Sequence, residues 1–418
     1  MQKWLETHLL KLNGTQEMDY IKGFTRHGYS KEESISIEMF KQISKELGLS
    51  IREDLAGNVI ARWEGTTPDL PAVATGSHLD TVTNGGGYDG LAGVLCALGA
   101  VKQLKDHRFQ PNYPIEVIVF RSEESARFGI STLGSKAMSG LHTSEIGSVV
   151  DQQGVSIKEA VTQCGFDWNA FSDAERDMEE LKSFVELHIE QGMLIENAGK
   201  DIGIVEGIAT PIRLVITAEG QAGHTGTTPM DHRQDALVAI SPLVQFVHDY
   251  AKQCNRHETI PVVATVSMLS LEPNAMNVIP GKVEMGIDIR SVNDDLKEHV
   301  ATAIKRECLE LSRVHDVEIH VEERVNNASI FLGRDISRKL HKAGELAGLT
   351  IHPMHSGAGH DVMNMAVKWP AGLIFIPCKN GISHHPAEYA SLENLEKGVQ
   401  VLKAYFESEA GEAPCQFE

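Results

Sequence analysis

Residues 72–80 read Ala72-Val73-Ala74-Thr75-Gly76-Ser77-His78-Leu79-Asp80, and the chain runs on through Gly85-Gly86-Gly87-Tyr88-Asp89-Gly90 into small and apolar residues as far as Leu104. The short apolar run Ala72 to Thr75 predicts a buried strand, with His78 emerging at its carboxyl end. The glycines predict a tight turn, and Gly90 to Leu104 predicts a small-residue helix able to pack closely on a sheet. Strand, ligand-type residues at its carboxyl end, turn and helix form the repeating unit of an α/β layer fold. Open sheets of that kind place their ligand sites at the carboxyl ends of strands.

The same pattern recurs along the chain. Pro114 to Phe120 is the strongest strand candidate and leads into Glu123-Glu124. Ser183 to Leu187 leads into His188-Ile189-Glu190-Gln191-Gly192, and Gly372 to Pro377 leads into Ser383-His384-His385-Pro386. A further motif, Gly357-Ala358-Gly359-His360-Asp361, is expected to open a helix whose backbone N–H groups can hold an anion. A helix over Glu33 to Leu49 and a strand over Asn58 to Trp63 complete the first half. Between Pro211 and Asn326 the order changes to strand (Ile212–Ala218), helix (Arg233–Gln253), two strands (Val262–Leu269, Lys282–Arg290), helix (Asp294–His315) and strand (Val317–Glu323). That is the βαββαβ, ferredoxin-like arrangement. The expected organisation is therefore a discontinuous catalytic domain over 1–210 and 327–418 with an inserted domain over 211–326.

Composition narrows the function classes. With 418 residues about two domains are expected, and 42% hydrophobic and 23% charged content are ordinary for a globular protein. A net charge of −20 argues against nucleic acid, which needs a concentrated basic face. The first residues, Met1 to His8, carry charges without an apolar stretch, so no secretory leader is expected, and no membrane span is visible. Six cysteines (Cys96, Cys164, Cys254, Cys308, Cys378, Cys415) lie far apart without C-x-x-C spacing, which suits reduced thiols and a cytoplasmic protein. The tail from Glu407 onward is expected to fray.

His, Asp and Glu at strand ends without a matching cysteine motif suit a divalent ion such as Zn²⁺ or Mn²⁺. Each motif also has a plainer explanation. His78 with Asp80 fits a satisfied core histidine beside a turn aspartate, and Asp89 fits an N-cap of the following helix. Asp80 is placed to accept the other ring N–H of a ligating His78. Adjacent carboxylates at Glu123-Glu124 repel unless a cation or proton separates them, so one would ligate while the other carries a proton. Neighbouring strand residues face opposite ways, so a local turn must bring both into the site. At His188 the partner is Glu190 or Gln191, and at the last motif the ligand is His384 or His385.

In combination, these motifs resemble the hydantoinase/carbamoylase branch of the dinuclear aminoacylase and carboxypeptidase clan, over nearly the whole chain from about Gly23 to Tyr389. The branch includes N-carbamoyl-L-amino acid hydrolases and allantoate amidohydrolases. The resemblance implies an α/β fold, a mixed-sheet dinuclear metallohydrolase domain with an inserted βαββαβ lid and dimerisation domain. It implies His78, Asp89, Glu124, His188 and His384 as ligands of two divalent ions, Zn²⁺ foremost with Mn²⁺, Co²⁺ or Ni²⁺ as alternatives, and Asp89 as the bridge. It implies Glu123 as general base, Asp80 as the residue orienting His78, and Gln191, His224, Asn277 and Arg290 as substrate-binding, with His224 also stabilising the oxyanion. Gly357, in the motif whose N–H groups can hold an anion, is the remaining substrate-binding candidate. Ser125 departs from the glycine usual after the glutamate pair, and a local packing adjustment is expected there.

The implied reaction is hydrolysis of a linear ureido carboxylate, an N-carbamoyl-L-amino acid first, with release of ammonia and carbon dioxide by a cytoplasmic homodimer. Allantoate and ureidoglycolate are the alternative substrates. A dipeptidase or aminoacylase of the same clan is the more distant alternative.

Overall fold

The computed structural model describes residues 1–412. The chain forms two compact units, one of Met1–Glu206, Leu332–Met354 and His360 onward, the other of Gly207–Phe331 with His355–Gly359.

The strands in chain order are β1 (Ser50–Glu53), β2 (Val59–Trp63), β3 (Ala72–His78), β4 (Ile115–Phe120), β5 (Leu181–Ile189), β6 (Ile202–Ile208), β7 (Thr210–Glu219), β8 (Gly223–His224), β9 (Val263–Glu272), β10 (Val278–Ile279), β11 (Lys282–Ser291), β12 (Glu318–Asn326), β13 (Ile330–Phe331), β14 (Ile351–Ser356) and β15 (Ala371–Ile376). In the first unit the sheet order is β1-β2-β4-β3-β5-β15-β6, with β14 beside β6. β4, β3, β5 and β15 are parallel neighbours, whereas β1, β2 and β6 join antiparallel. The sheet is therefore mixed, with its parallel strands in the middle. These central strands are buried along nearly their whole length, which is why they read as continuous apolar runs without alternation.

Helix Leu91–Asp106 lies against β3 and β5 and against helix Leu392–Glu409. Its small residues allow the close approach expected of them: a Cβ at Gly93 would stand 1.9 Å from the Leu187 carbonyl oxygen. Residues 407–409, expected to fray, instead complete helix Leu392–Glu409. The Glu409 side chain there is buried and pairs with Lys339 at 2.6 Å, a contact between residues 70 apart that no local pattern announces. Residues 413–418, with Cys415, lie outside the described residues. The other five cysteines are free thiols.

In the second unit the four main strands are ordered β12-β7-β11-β9, all antiparallel. Strand and helix order together give the βαββαβ topology. Ile212, Leu214, Ile216, Ile287 and Ile289 meet Ile240, Leu243, Val300 and Ile304 of helices Ala236–Cys254 and Asp294–His315 in a separate core. Arg213, Asp288 and Arg290 alternate with those strand residues and so lie on the other face. Among the described residues, no helix is long and apolar enough to cross a membrane.

Candidate metal centre

The strand ends of the first unit gather one group of side chains. His78 ends β3, and its Nδ1 lies 3.1 Å from the Asp80 backbone oxygen, which can only accept, so Nδ1 carries a proton and Nε2 is the nitrogen turned toward the site. His188, near the end of β5, is fixed in the same way by the Ile189 carbonyl at 2.9 Å. Both Nε2 atoms face Asp89 Oδ1, at 3.5 Å from His78 and 2.9 Å from His188. The second Asp89 oxygen, Oδ2, lies 3.3 Å from His384 Nε2, and that nitrogen is 3.2 Å from Glu124 Oε1. Two sets of mutually adjacent donor atoms result, His78–Asp89–His188 and Asp89–Glu124–His384, and Asp89 belongs to both. His384, with φ +55, joins the group; its neighbour His385 does not.

Asp89 is not an N-cap. The cap position of helix Leu91–Asp106 falls to Gly90, with no side-chain cap bond, and the Asp89 carboxylate points into the histidine group. Gly90 is needed there on two counts. Its φ is +64, and a Cβ would stand 2.5 Å from the His78 Nε2.

Asp80 holds the site differently from the simple expectation. Its carboxylate is 3.4 Å from His78 Nδ1, but its best hydrogen bonds come from the backbone: Glu123 N–H to Oδ1 at 3.0 Å and Glu124 N–H to Oδ2 at 2.9 Å. The turn that brings both glutamates inward is visible one residue earlier, where Ser122 has φ +53. Glu33 accepts the Ser122 N–H at 3.0 Å and pairs with Arg121 at 2.7 Å, so a buried ion pair pins that turn. Ser125 is exposed, so the departure from glycine needs no repacking of buried side chains.

The electrostatics follow from crowding four carboxylates and two histidines, His78 and His188, in a buried space, with the exposed His384 at its edge. Burial pushes the Glu123 carboxyl well up, His78 opposes this, and the neighbouring Glu124 adds to it. Burial alone would depress His78, but Asp80 and Asp89 push it well above the usual histidine range. Hydrogen bonds to Asp89 and Glu124 push His384 up to about 11. These shifts mark a place where the crowded carboxylates favour positive charge. A divalent cation would supply it in exchange for protons.

The donor set fits such an ion on this structure's own terms. Its atoms are all imidazole nitrogens or carboxylate oxygens. Two of the histidines have their far nitrogen fixed by a backbone carbonyl. Beside them Gln191 donates Nε2 to Asp89 Oδ2 at 2.8 Å, while its own Oε1 is buried without a hydrogen-bond partner. A third cluster of ligand types, Glu219, Glu318 and His320, is fully exposed on the second unit.

The remaining candidates lie on the second unit. His224 sits on β8, directly opposite Val278 of β10, and Asn277 accepts the Thr225 N–H at 3.3 Å, so His224 and Asn277 share one two-stranded ribbon. Arg290 donates Nε to Asp288 at 2.7 Å and Nη1 to the Gly357 carbonyl at 2.9 Å, which brings Arg290 and Gly357 together. The helix expected to open at Gly357–Asp361 amounts only to Val362–Met365. The Val362 N–H is taken by buried Glu186 at 2.8 Å, so a carboxylate of the protein occupies the expected anion position.

Three contributors went unassigned from sequence. The His360 ring packs on the His188 ring with centroids 4.6 Å apart. Ser383 Oγ lies 2.9 Å from Asp89 Oδ2, and buried Glu388 accepts the N–H groups of Tyr88 and Asp89 at 2.9 Å each. Glu388 stands four residues past His384 in a ligand-bearing motif, which is the only local signal for it.

A mixed α/β sheet carrying this histidine and carboxylate group defines a metal-dependent hydrolase, and the chain belongs to the peptidase family M20/M25/M40, whose model matches residues 74–408. It is 38% identical to a ureidoglycolate hydrolase of Oryza sativa subsp. japonica, over 91% of this chain and 79% of that protein. It is 36% identical to an N-carbamoyl-L-amino acid amidohydrolase of Geobacillus stearothermophilus, over 91% of this chain and 92% of that protein. The crystal structure of an amidase of the hydantoinase/carbamoylase family from Burkholderia multivorans superimposes with a TM-score of 0.88 at 31% identity, covering 99% of this chain and 98% of that one.

Proposed function

We propose that the protein is an amidohydrolase that cleaves the C–N bond of a linear ureido carboxylate, an N-carbamoyl-L-amino acid first, releasing ammonia and carbon dioxide. The observation that carries the reading is the Asp89 carboxylate shared by two donor groups, with Glu123 Oε2 3.8 Å from His78 Nε2 at the same place. His78, His188 and Asp89 would hold one ion, and Asp89, Glu124 and His384 a second, with Zn²⁺, Mn²⁺, Co²⁺ or Ni²⁺ all suited to the set. Such ions, when bound, would lower the pKa of an attacking water and polarise the carbonyl.

In this reading Glu123 takes the proton of the attacking water as it adds to the carbamoyl carbon. It then passes that proton to the departing nitrogen, which leaves as ammonia. The carbamic acid that remains loses carbon dioxide to give the free amine. Asp80 holds the backbone of Glu123 and Glu124 so that base and ligand keep fixed places. Gln191 presents its amide beside Asp89 for the ureido group. On the second unit, His224 and Asn277 supply polar contacts to the reacting group, and His224 donates to the developing oxyanion. Arg290 has five N–H groups, of which Asp288 and Gly357 take up to three. One hydrogen on each Nη is left for a substrate carboxylate. The second unit serves as lid and dimer contact, and the enzyme acts in the cytoplasm.

Allantoate and ureidoglycolate are also ureido carboxylates, and the likeness to a ureidoglycolate hydrolase supports them as a second reading. The test is ammonia release by metal-reconstituted protein from N-carbamoyl amino acids, allantoate and ureidoglycolate, set against amino acid release from dipeptides. Ammonia from at least one ureido carboxylate supports the proposal, and hydrolysis of dipeptides alone overturns it.

A further inference from the structure

Glu388 is a carboxylate at the heart of the first unit that the reaction above does not use. Its Oε1 accepts the backbone N–H of both Tyr88 and Asp89 at 2.9 Å, and its Oε2 lies 3.0 Å from Ser383 Oγ. Ser383 Oγ in turn lies 2.9 Å from Asp89 Oδ2, and the next residue is His384, held at φ +55. The contact is built at close quarters: a Cβ on Gly86 would stand 2.3 Å from Glu388, so only glycine lets the 85–90 turn wrap the carboxylate. The arrangement repeats what Asp80 does for Glu123 and Glu124, with one buried carboxylate capping two consecutive N–H groups of a segment that carries site residues.

From this geometry we infer that Glu388, with Ser383, is a positioning residue that ties the Asp89 turn to the His384 turn and thereby sets the Asp89–Glu124–His384 ion site. The inference rests on the two-ion reading above. His78 and His188 stand at the ends of β3 and β5, each fixed by a nearby carbonyl, and need nothing from residues 383–388. Glu124 and His384 come from turns, and His384 has no strand to hold it. Removing Glu388 therefore loosens one ion site more than the other. A glutamine at 388 keeps an oxygen for the Tyr88 and Asp89 N–H groups. Its amide can donate to Ser383 Oγ, which leaves the Ser383 hydroxyl free to donate to Asp89.

The test is calorimetric titration of metal-stripped protein with Zn²⁺ against a competing chelator. His384→Ala identifies the binding step that belongs to the second ion. Glu388→Ala is expected to weaken that step by about 10–100-fold, the range for residues that support a metal ligand, and to change the other step several-fold less. Glu388→Gln is expected to recover most of the loss, which a residue needed only for folding at that position would not show. Ser383→Ala is expected to weaken the same step, and it carries the test if Glu388→Ala is insoluble. Unchanged titrations, equal weakening of both steps, or glutamine as poor as alanine would overturn the inference while leaving the two-ion reading intact. Wild-type protein that takes up a single ion or none would bring down the two-ion reading itself.

Discussion

Replacing Asp80 by asparagine tests how the glutamate pair is held. The Asp80 side chain is fully buried, and its two oxygens accept from Glu123 N–H and Glu124 N–H. Asparagine keeps one acceptor oxygen and sets an N–H₂ group against the other backbone N–H, so one buried donor loses its partner. That loss costs about 1–3 kcal/mol. His78 keeps its tautomer, because Nδ1 can still donate to the backbone oxygen of residue 80. The perturbation therefore falls on the turn at 122–124. Two compact units make a single global unfolding energy ill-defined, so the readout should be local. Hydrogen exchange of the Glu123 and Glu124 amides in metal-free protein is expected to quicken by about 5–150-fold, the equivalent of that energy. Protection elsewhere in β4 should stay close to wild type. Unchanged exchange at both amides would refute the idea that Asp80 holds this turn.

Glu123→Gln is expected to bind metal as wild type does and to lose about 10²–10⁴ in turnover, whereas Glu124→Gln should lose metal content; elemental analysis beside initial rates checks both, and the reverse pattern would exchange their roles. Gly90→Ala forces a Cβ to 2.5 Å from His78 at a φ of +64, so expression with weakened metal uptake is expected, and full occupancy with normal stability in thermal melts would contradict the packing described. Arg290→Lys keeps the charge but loses the fork held by Asp288 and Gly357, so KM for a ureido carboxylate should rise with kcat little changed. The same change on an amidated substrate should do little, and equal losses on both would assign Arg290 a structural role.

The parts of this molecule that were legible in its sequence are those set by local pattern. β3, β4, β5 and β15 are buried on both faces and read as unbroken apolar runs, so their ends, and the His and Glu residues standing there, could be placed. The alternation of strands and helices between β7 and β12 was similarly plain, because the two amphipathic helices and four strands are long. What escaped is set by contacts between distant segments. Glu388 reaches Tyr88 and Asp89 across 300 and 299 residues, and nothing in Pro386-Ala387-Glu388 marks that partner. Asp89 looks like an N-cap in sequence because it precedes a helix. The nearness of His78, His188, Gln191, Ser383 and His384, all far away in sequence or across the turn, draws its carboxylate away. The Gly357 segment reads as a helix start, but Glu186 already occupies the N–H that an anion would need.

Anomalous diffraction from crystals of zinc-reconstituted protein would show whether Asp89 lies between two ions. Two peaks about 3.5–4 Å apart are expected, on either side of the Asp89 carboxylate. One should be touched by His78 and His188, the other by Glu124 and His384. A single peak, peaks away from Asp89 such as at Glu219, Glu318 and His320, or no peak after verified loading would contradict it.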